Sequence, residues 1–564
     1  MDYDLKVTGG TIIDGTGAAR YAGEVGVRDG RIVAVGSAPG TARRTIDAAG
    51  CIVAPGFIDV HTHYDAQVMW DPMLSISPWH GVTTVVMGNC GFGVAPAKPD
   101  HRRLLMQTLE IVEGMSLEAL EAGLGDWSFE SFPEYLAAVA RRGVAVNVGA
   151  MVGHSAVRLN VMGLDAVERK ATADEVAAMA KVVGQAVAAG ALGFSTSTSR
   201  LHVGFGGKPV PSRFADMQAE TIPLAAAVGA NGGGVAQLTT GIEPEFAAFE
   251  DLARAAGTVT WTAMLTRIGD DTIHERHHRI AADQFARGLP IWPQVSCRPL
   301  TMEFHLGAPF PFERIDAFKP ASAADRAGKK RIYADPAFRD AFKREIAAGD
   351  ATTPQTWALR MALEALEISA APTARALEGR PARAVAAERG IDPLDLVFDL
   401  ALDSNLATRF RVPLANTNQD AIGGFLHDPF TVVALSDAGA HTSQLCDACY
   451  ATDLLGRWSR DKGVLTLEQA IDQLCTRPAA IFGIRDRGRL AAGYAADIVV
   501  FDPATVGAGP LQRVNDLPAG ADRLIAQAAG IRAVIVNGTV IRDGNADALG
   551  PRDAPPGVLV RRAA

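Results

Sequence analysis

The chain has 564 residues, more than one simple domain needs and enough for a large apolar core. Hydrophobic residues make up 48% and charged residues 21%, and the net charge is −9, as in an ordinary globular protein. This acidic balance without basic runs excludes typical nucleic-acid binding, and no apolar stretch is long enough for a membrane span. The acidic N-terminus does not resemble a signal peptide, and six cysteines do not form a disulfide framework. We therefore expect a cytoplasmic protein with reduced thiols.

Short β strands are predicted at both ends of the chain. The N-terminal segment and residues 495–503 and 531–544 alternate apolar and polar residues around Gly and Asp-Gly turns. Strands from opposite ends of a chain can pair in one module. We predict a β-sandwich built from residues 1–56 and 485–545, followed by a loosely held tail over residues 546–564.

Between these ends, short apolar strands alternate with helical stretches. Residues 173–190 place apolar side chains at i, i+3 and i+4 spacing, and a second helical stretch, 245–257, leads directly into the strand-like TVTWTAML. The candidate strands end at His63, Cys90, Val152, Ser195, Leu238, Met264, Val295 and Asp437. Eight such strand–helix units predict an α/β fold, a (β/α)8 TIM barrel over residues 57–484. A Rossmann-type sheet is the alternative, but no G-x-G-x-x-G follows a strand.

A long mixed segment, residues 300–390, interrupts the alternation between the last two candidate strands. Segments of this length between barrel elements are usually functional, and active-site lids are one common form. We interpret this segment as an insertion over the barrel mouth.

Residues at the carboxyl ends of barrel strands are the first candidates for chemistry. His61 and His63 are two residues apart at the end of the first strand, so both imidazoles can bind one cation. Asp437 ends the last strand, which neighbours the first in a closed barrel, and it can accept a proton from activated water. An H-x-H pair or a loop aspartate alone also occurs as ordinary polar residues or as a helix cap. The combination predicts a metal site.

Longer motifs resemble a known family. The segments VAPGFIDVHTHYD, GVTTVVMGNCGFG, GHSAVR, GALGFSTS, ALSDAGAH and GRLAAGYAADIVVFDP are similar to the amidohydrolase superfamily and, more closely, to its N-acyl-D-amino-acid deacylase (D-aminoacylase-like) branch. The resemblance implies a β-sandwich beside a metal-bearing barrel, and the hydrolysis of an amide bond. Carried over residue by residue, it implies His61, His63 and Cys90 as metal ligands and Asp437 as the general base.

The sequence departs from this family in its metal and substrate residues. The family has a metal-binding histidine at the ends of strands five and six, where this chain has Gln237 and Thr262–Met264. No lysine ends strand four, and Gln444-Leu445-Cys446 replaces the His-Pro-Arg whose arginine holds the substrate carboxylate. We predict one divalent metal ion, Zn²⁺ in the first place, with a metal-free state as the alternative. The predicted metal ligands are His61, His63, Cys90, Asp437 and Gln237.

Further polar residues near strand ends are candidates for catalysis or substrate binding. His154 follows strand three and is a candidate catalytic residue; a structural histidine beside the site is the alternative. The candidate substrate-binding residues are Arg158, Ser195, Arg267, Arg298 and His441. Loop arginines are usually solvated and strand-end serines often bond the backbone, so these candidates also have structural interpretations.

Together with the resemblance, these residues predict a metal-dependent hydrolase that cleaves a C–N amide bond in an N-acyl amino acid-like or cyclic amide. Two alternatives stay open. One is metal-assisted lactone or C–C bond hydrolysis, or decarboxylation, on the same scaffold; the other is a catalytically inactive scaffold protein that has lost metal ligands. We expect a small-molecule substrate, no nucleic-acid or membrane partner, and a homo-oligomer.

Overall fold

The structure, a computed structural model, describes residues 1–241, 244–268, 270–312, 315–349, 354–550 and 552–562. The chain divides into two compact units. The first comprises Met1–Met264, His277–Cys297 and Gly423–Ala564, and the second comprises Leu265–Arg276 and Arg298–Ile422. The second unit is larger than the predicted insertion because it includes chain on both sides of it. In the part of the chain that the structure describes, no helix combines the length and apolar character of a membrane span.

Eight parallel strands form one sheet in the first unit and follow one another in chain order. They are β1 (Phe57–Asp59), β2 (Val82–Met87), β3 (Asn147–Gly153), β4 (Gly193–Ser197), β5 (Gly234–Thr239), β6 (Gly257–Thr262), β7 (Ile291–Val295) and β8 (Val432–Val433). Every residue of β2, β3 and β4 is buried, as in strands covered on both faces. The N–H of His63 donates to the carbonyl of Ala438 at 2.7 Å, which joins the chain after β1 to the chain after β8. The eight predicted barrel strands are therefore present.

Helices lie between these strands, and some of them begin at a capping side chain. The Thr172 hydroxyl accepts the N–H of Glu175 at the start of Ala173–Ala188, and the Glu175 side chain accepts in return. The helix Phe246–Ala256 leads straight into β6, as predicted. The other α-helices of the first unit are Arg102–Glu113, Leu117–Leu124, Phe132–Arg142, His154–Met162, Ile222–Ala230, Tyr450–Asp453, Leu467–Ile471 and Arg477–Phe482. Two further helices, Asp271–Ala286 and Gln419–His427, belong partly to each unit.

The two ends of the chain share a nine-stranded sheet. Ile52–Pro55 pairs antiparallel with Ile498–Phe501, so that Val53 lies opposite Val500. Both valines are buried in one apolar core, where each such side chain contributes about 1.5–3 kcal/mol to stability. The remaining strands of this sheet are Tyr3–Ile12, Tyr21–Arg28, Arg31–Gly36, Ala42–Asp47, Ile531–Val536, Thr539–Asp543 and Ala546–Asp547. A separate hairpin pairs Gly507–Val514 with Arg523–Ala529.

The prediction of a loosely held tail over residues 546–564 is wrong for residues 557–560. The N–H of Val148 in β3 donates to the carbonyl of Val558 at 2.9 Å, and the N–H of Val560 donates to the carbonyl of Val148 at 2.8 Å. Val560 is also buried in the core around the barrel strands. The apolar GVLV at 557–560 therefore pairs with a barrel strand, which satisfies its backbone hydrogen-bonding groups. The polar residues around it do not predict this pairing.

The second unit has a core of its own. Its four antiparallel strands, in spatial order, are Leu300–His305, Arg409–Ala415, Glu367–Ala370 and Arg380–Pro381. Its helices are Lys319–Ser322, Arg326–Ala334, Pro336–Ala348, Pro354–Leu363, Ala382–Arg389 and Pro393–Asp403. The rings of Phe312, Phe318 and Phe342 pack with centroids 5.1 to 5.2 Å apart, a spacing that favours edge and tilted aromatic contacts. Its function as a lid stays a prediction.

Candidate metal centre

His61 and His63 lie just after β1, and the Nε2 atoms of both face Cys90, in the loop after β2. Cys90 Sγ is 3.3 Å from His61 Nε2 and 3.9 Å from His63 Nε2. All three side chains are buried, and their donor atoms lie within 4.8 Å of one another. Two imidazoles and a thiolate form a donor set that suits zinc. The fold therefore brings together three of the predicted metal ligands.

The second ring nitrogen of each histidine is engaged elsewhere, which leaves Nε2 for a cation. His61 Nδ1 lies 2.6 Å from Gln294 Oε1 on β7, and His63 Nδ1 lies 3.4 Å from Glu113 Oε1. Because an amide oxygen can only accept, His61 Nδ1 carries the hydrogen and donates it. Such partners fix the ring and its tautomer. Burial lowers the pKa of His61 to about 4, so this imidazole is neutral at pH 7, as metal binding requires.

Neither of these partners is predicted from the sequence. Gln294 is an amide in the otherwise apolar strand Ile291–Val295, and that contrast is a signal that could have revealed it. Glu113 is the last residue of the helix Arg102–Glu113, and its carboxylate is fully enclosed beside His63. Nothing in the local sequence marks it, because the contact joins two segments far apart in the chain.

Acidic side chains lie around the three donors. Burial raises the pKa of the Cys90 thiol well above its usual range, and the charges of Glu113 and Asp437 raise it further. Burial, followed by the charges of Asp437 and Asp65, likewise raises the pKa of Glu113. A divalent cation would reverse these shifts, because its charge stabilises the thiolate and the carboxylates around it. The acidic surroundings therefore fit a bound metal ion.

Asp437 lies within reach of both imidazoles. Its Oδ1 is 3.3 Å from His61 Nε2 and 3.8 Å from His63 Nε2, yet it lies outside the group of donors that are all within 4.8 Å of one another. Its side chain is 23% exposed, so solvent can reach it. Burial of the carboxyl raises the pKa of Asp437 above its usual value.

The backbone around Cys90 is fixed by side chains from two other strands. Cys90 has a φ of 59°, in the left-handed region that costs about 1–3 kcal/mol outside glycine. Its N–H donates to Gln237 Oε1 on β5 at 2.7 Å. Ser195 Oγ on β4 accepts the N–H of Gly91 at 3.0 Å and donates to the carbonyl of Gly88. Together these bonds hold the loop that presents the thiol.

The observed contacts of Gln237 and Ser195 differ from their predicted roles as metal ligand and substrate contact. The Gln237 oxygen points to the Cys90 backbone, and its Nε2 donates to the Thr239 and Thr262 hydroxyls at 3.2 and 3.5 Å. The Ser195 hydroxyl both accepts and donates within the Cys90 loop. Both residues therefore hold the loop that presents Cys90, a predicted metal ligand.

Gln237→Ala is expected to weaken metal binding about 10–100-fold, as is usual when a residue that supports a ligand is removed. The cause is loss of the bond that holds Cys90 at positive φ, while all three donors remain. Competition with a chromophoric zinc chelator measures the affinity. Gln218→Ala, at an exposed glutamine, is the matched control. Equal affinity of Gln237→Ala and wild type would show that Gln237 does not support the site.

His154 and Arg158 share a buried carboxylate, in contrast to their predicted roles in catalysis and substrate binding. His154 Nε2 lies 2.9 Å from Glu220 Oε1, and its Nδ1 lies 2.8 Å from Thr196 Oγ1. Arg158 Nη1 bonds the same carboxylate, and His154, Arg158 and Glu220 are all fully enclosed. Both ring nitrogens of His154 are therefore engaged. His154 and Arg158 are four residues apart and share one face of the helix His154–Met162. Their common partner Glu220 lies 62 residues after Arg158, so the local sequence does not reveal it.

The last three substrate-binding candidates lie in different places. Arg267 and Arg298 belong to the second unit, and their role stays a prediction. His441 lies beside the metal centre: its Nε2 is 4.0 Å from Glu113 Oε2, and its N–H donates to the Glu113 carbonyl. Its side chain is 26% exposed, so a substrate contact there stays a prediction that the position permits.

Comparison with known proteins adds to this geometry. The model of the family described as "Amidohydrolase family" matches residues 44–215 and 334–542, more than half of the chain. The chain belongs to the amidohydrolase family. The D-aminoacylase of Alcaligenes xylosoxydans xylosoxydans is 30% identical over 547 residues, which cover 96% of this chain and 94% of that protein.

Two solved structures are similar over the whole amidohydrolase chain. One is the N-acyl-D-glutamate deacylase of Bordetella bronchiseptica with zinc and a phosphonate inhibitor, at 27% identity, full coverage of both chains and a TM-score of 0.65. The other is a D-aminoacylase described by the functional role of its binuclear metal center, with one-metal activation and second-metal attenuation. It is 27% identical, covers 99% of this chain and 100% of that chain, and has a TM-score of 0.66.

These findings confirm the predicted family, TIM-barrel fold and reaction class. This amidohydrolase is a metal-dependent enzyme that hydrolyses a carbon–nitrogen bond other than a peptide bond in a small molecule. They favour this reaction over the alternatives of an inactive scaffold, of lactone or C–C bond hydrolysis, and of decarboxylation.

Proposed function

We propose that this amidohydrolase removes the acyl group from N-acyl-D-amino acids, with one zinc ion held by His61, His63 and Cys90. The observation that carries the proposal is the convergence of these three donors, within 4.8 Å of one another, beside the carboxylate of Asp437. Similarity over nearly the whole chain to a D-aminoacylase and to an N-acyl-D-glutamate deacylase supports the substrate class.

One metal ion fits the available ligands better than two ions do. The strands β5 and β6 contain no histidine, and β4 ends without a lysine, so a second set of ligands is missing from their sequences. Three protein ligands that leave one position open are the usual arrangement of catalytic zinc. One-metal activation, as described for a D-aminoacylase, supports the same count.

The chemistry follows from the placement of Asp437. When bound, a zinc ion polarises the substrate carbonyl and makes water more acidic. Asp437 accepts the proton of the attacking water and then donates it to the nitrogen of the leaving amino acid. Its contact with both imidazoles keeps the carboxylate beside the ligands. His61 and His63 stay in place through Gln294 and Glu113.

The test of this proposal is amino-acid release from a panel of amides. Wild-type protein reconstituted with zinc is incubated with N-acetyl-D-methionine, N-acetyl-L-methionine, N-acetyl-D-glutamate and a γ-lactone. We expect release of the D-amino acids, loss of release with a zinc chelator, and recovery when zinc is restored. Hydrolysis of the lactone without release of any amino acid would contradict the proposal.

We further propose that the protein acts in the cytoplasm as a homo-oligomer, without a nucleic-acid or membrane partner. The net charge of −9 supports the absence of a nucleic-acid partner, and six free cysteines support a reducing compartment. Light scattering of the purified protein checks the assembly, and the mass of a single chain would contradict it.

A further inference from the structure

A buried charged cluster lies where the chain passes from β3 into the helix His154–Met162. The Glu220 carboxylate lies 2.9 Å from His154 Nε2 and accepts a second bond from Arg158 Nη1. Arg158 Nη2 donates to the carbonyl of Arg169 at 2.9 Å, and the side chains of His154, Arg158 and Glu220 are buried. A buried ion pair stabilises a fold little more than apolar residues of the same volume would, and often less. The cluster is better explained by a geometry that it fixes.

The cluster fixes the orientation of the His154 ring. Burial lowers the pKa of His154, so the ring is neutral at pH 7 and carries one hydrogen. Burial raises the pKa of Glu220, but the hydrogen bonds from His154 and Arg158 outweigh this effect and hold the pKa below its usual value. The ionised carboxylate can only accept, so His154 Nε2 donates to it. His154 Nδ1 is then the acceptor for the hydroxyl of Thr196, 2.8 Å away on β4.

The Cys90 loop, residues 88–92, packs against the two segments that His154 joins. Ser155, the next residue of the helix, donates its N–H to the carbonyl of Gly91 at 2.9 Å. Gly91 has a φ of 77°, and a Cβ there would lie 3.0 Å from Thr196 Cα, so the loop backbone lies directly on β4. A shift of Thr196 or of Ser155 would therefore move the residue next to Cys90.

We propose that His154 is a positioning residue for the metal centre: Glu220 and Arg158 orient its ring, and the ring holds β4 and the helix start against the Cys90 loop. This role rests on the proposed function, because it assigns Cys90 as a zinc ligand. It adds to the support that Gln237 and Ser195 give to the same loop. Residues behind a metal ligand raise metal affinity by restricting the orientation of that ligand.

The test measures the Cys90 loop directly, in zinc-free protein. His154→Phe keeps a ring beside Phe194, removes both nitrogen bonds and leaves Glu220 paired with Arg158. Thr196→Val is the milder variant, because it leaves the whole charged cluster in place. Amide hydrogen exchange of the Cys90 and Gly91 N–H groups is expected to be about 10-fold faster in both variants, since local opening of the loop becomes easier.

A second buried histidine provides matched controls. His80 precedes β2, at the opposite end of the strand from Cys90, and its ring nitrogens lie 2.7 Å from Thr452 Oγ1 and 3.0 Å from the Ala526 carbonyl oxygen. His80→Phe and Thr452→Val therefore remove a similar buried bond elsewhere. Both are expected to leave the exchange of the Cys90 loop within about twofold of wild type.

Zinc affinity, measured against a chromophoric chelator, and the thiolate–cobalt absorption band of cobalt-substituted protein complete the test. His154→Phe and Thr196→Val are expected to weaken zinc binding about 10-fold and to shift the band, while the two controls change neither. Unchanged loop exchange in His154→Phe and Thr196→Val, or faster exchange with unchanged zinc affinity and an unchanged band, would overturn the role of His154. Faster exchange in these variants, when wild type itself binds no zinc, would support His154 as the residue that holds the loop and overturn the proposed function.

Discussion

Asp437→Asn is expected to lower kcat for N-acetyl-D-methionine by about 10²–10⁴-fold, the usual contribution of a general base, while zinc stays bound. The asparagine amide keeps the shape of the carboxylate but cannot accept the proton of the attacking water. Zinc is expected to remain because Asp437 lies outside the group formed by His61, His63 and Cys90. Steady-state kinetics and elemental mass spectrometry on the same preparation measure the two quantities.

A matched control makes the Asp437→Asn result specific. Asp100→Asn, at an exposed aspartate, is expected to leave kcat and zinc content unchanged. If Asp437→Asn keeps full activity, Asp437 is not the base. If zinc is lost together with activity, Asp437 is a metal ligand, the second role that the sequence predicts for it.

The double substitution His61→Ala, His63→Ala is expected to remove the zinc ion and to reduce turnover to the uncatalysed background. One cysteine thiolate cannot retain a catalytic zinc ion on its own, since such sites use three protein ligands. Elemental mass spectrometry after dialysis and amino-acid release measure the two effects. His427→Ala, at an exposed histidine, is the matched control and is expected to keep both.

A milder variant separates metal loss from misfolding. Removing two buried imidazoles leaves a cavity, so the double variant can lose stability as well as metal. Cys90→Ser changes one atom and is expected to keep the circular dichroism spectrum of wild type while lowering zinc affinity. Full zinc content and full activity in both variants would contradict the assignment of these residues as ligands.

Much of the fold follows from local patterns in the sequence. The capping residues Thr172 and Glu175 mark a helix start, and apolar runs between Gly-rich turns mark the barrel strands. The pairing of residues 557–560 with β3 could not be predicted in this way. Its four residues carry no turn or length signal, and only the finished barrel offers the backbone groups with which they bond.

Some residues of the candidate site could likewise be predicted from local sequence, and others could not. His61, His63, Cys90 and Asp437 each lie in a short motif at the end of a predicted barrel strand, so their convergence could be predicted. The hydrogen bond between the Gln237 side chain and the Cys90 N–H could not be predicted. It joins β5 to the backbone after β2, so it depends on strand register and on the positive φ of Cys90. The contacts of His154 and Arg158 with Glu220 could not be predicted either, because Glu220 is far from both in the sequence.

The number of zinc ions per chain of the wild-type protein decides whether His61, His63 and Cys90 form a single-metal site. Purified protein is dialysed against excess zinc and then against metal-free buffer, and metal per chain is measured by elemental mass spectrometry. A cobalt-substituted sample reports thiolate ligation through its charge-transfer absorption. We expect one equivalent of zinc per chain and a thiolate–cobalt band that Cys90→Ser removes. Two equivalents, or full amide hydrolysis by protein without metal, would contradict a single zinc site built from His61, His63 and Cys90.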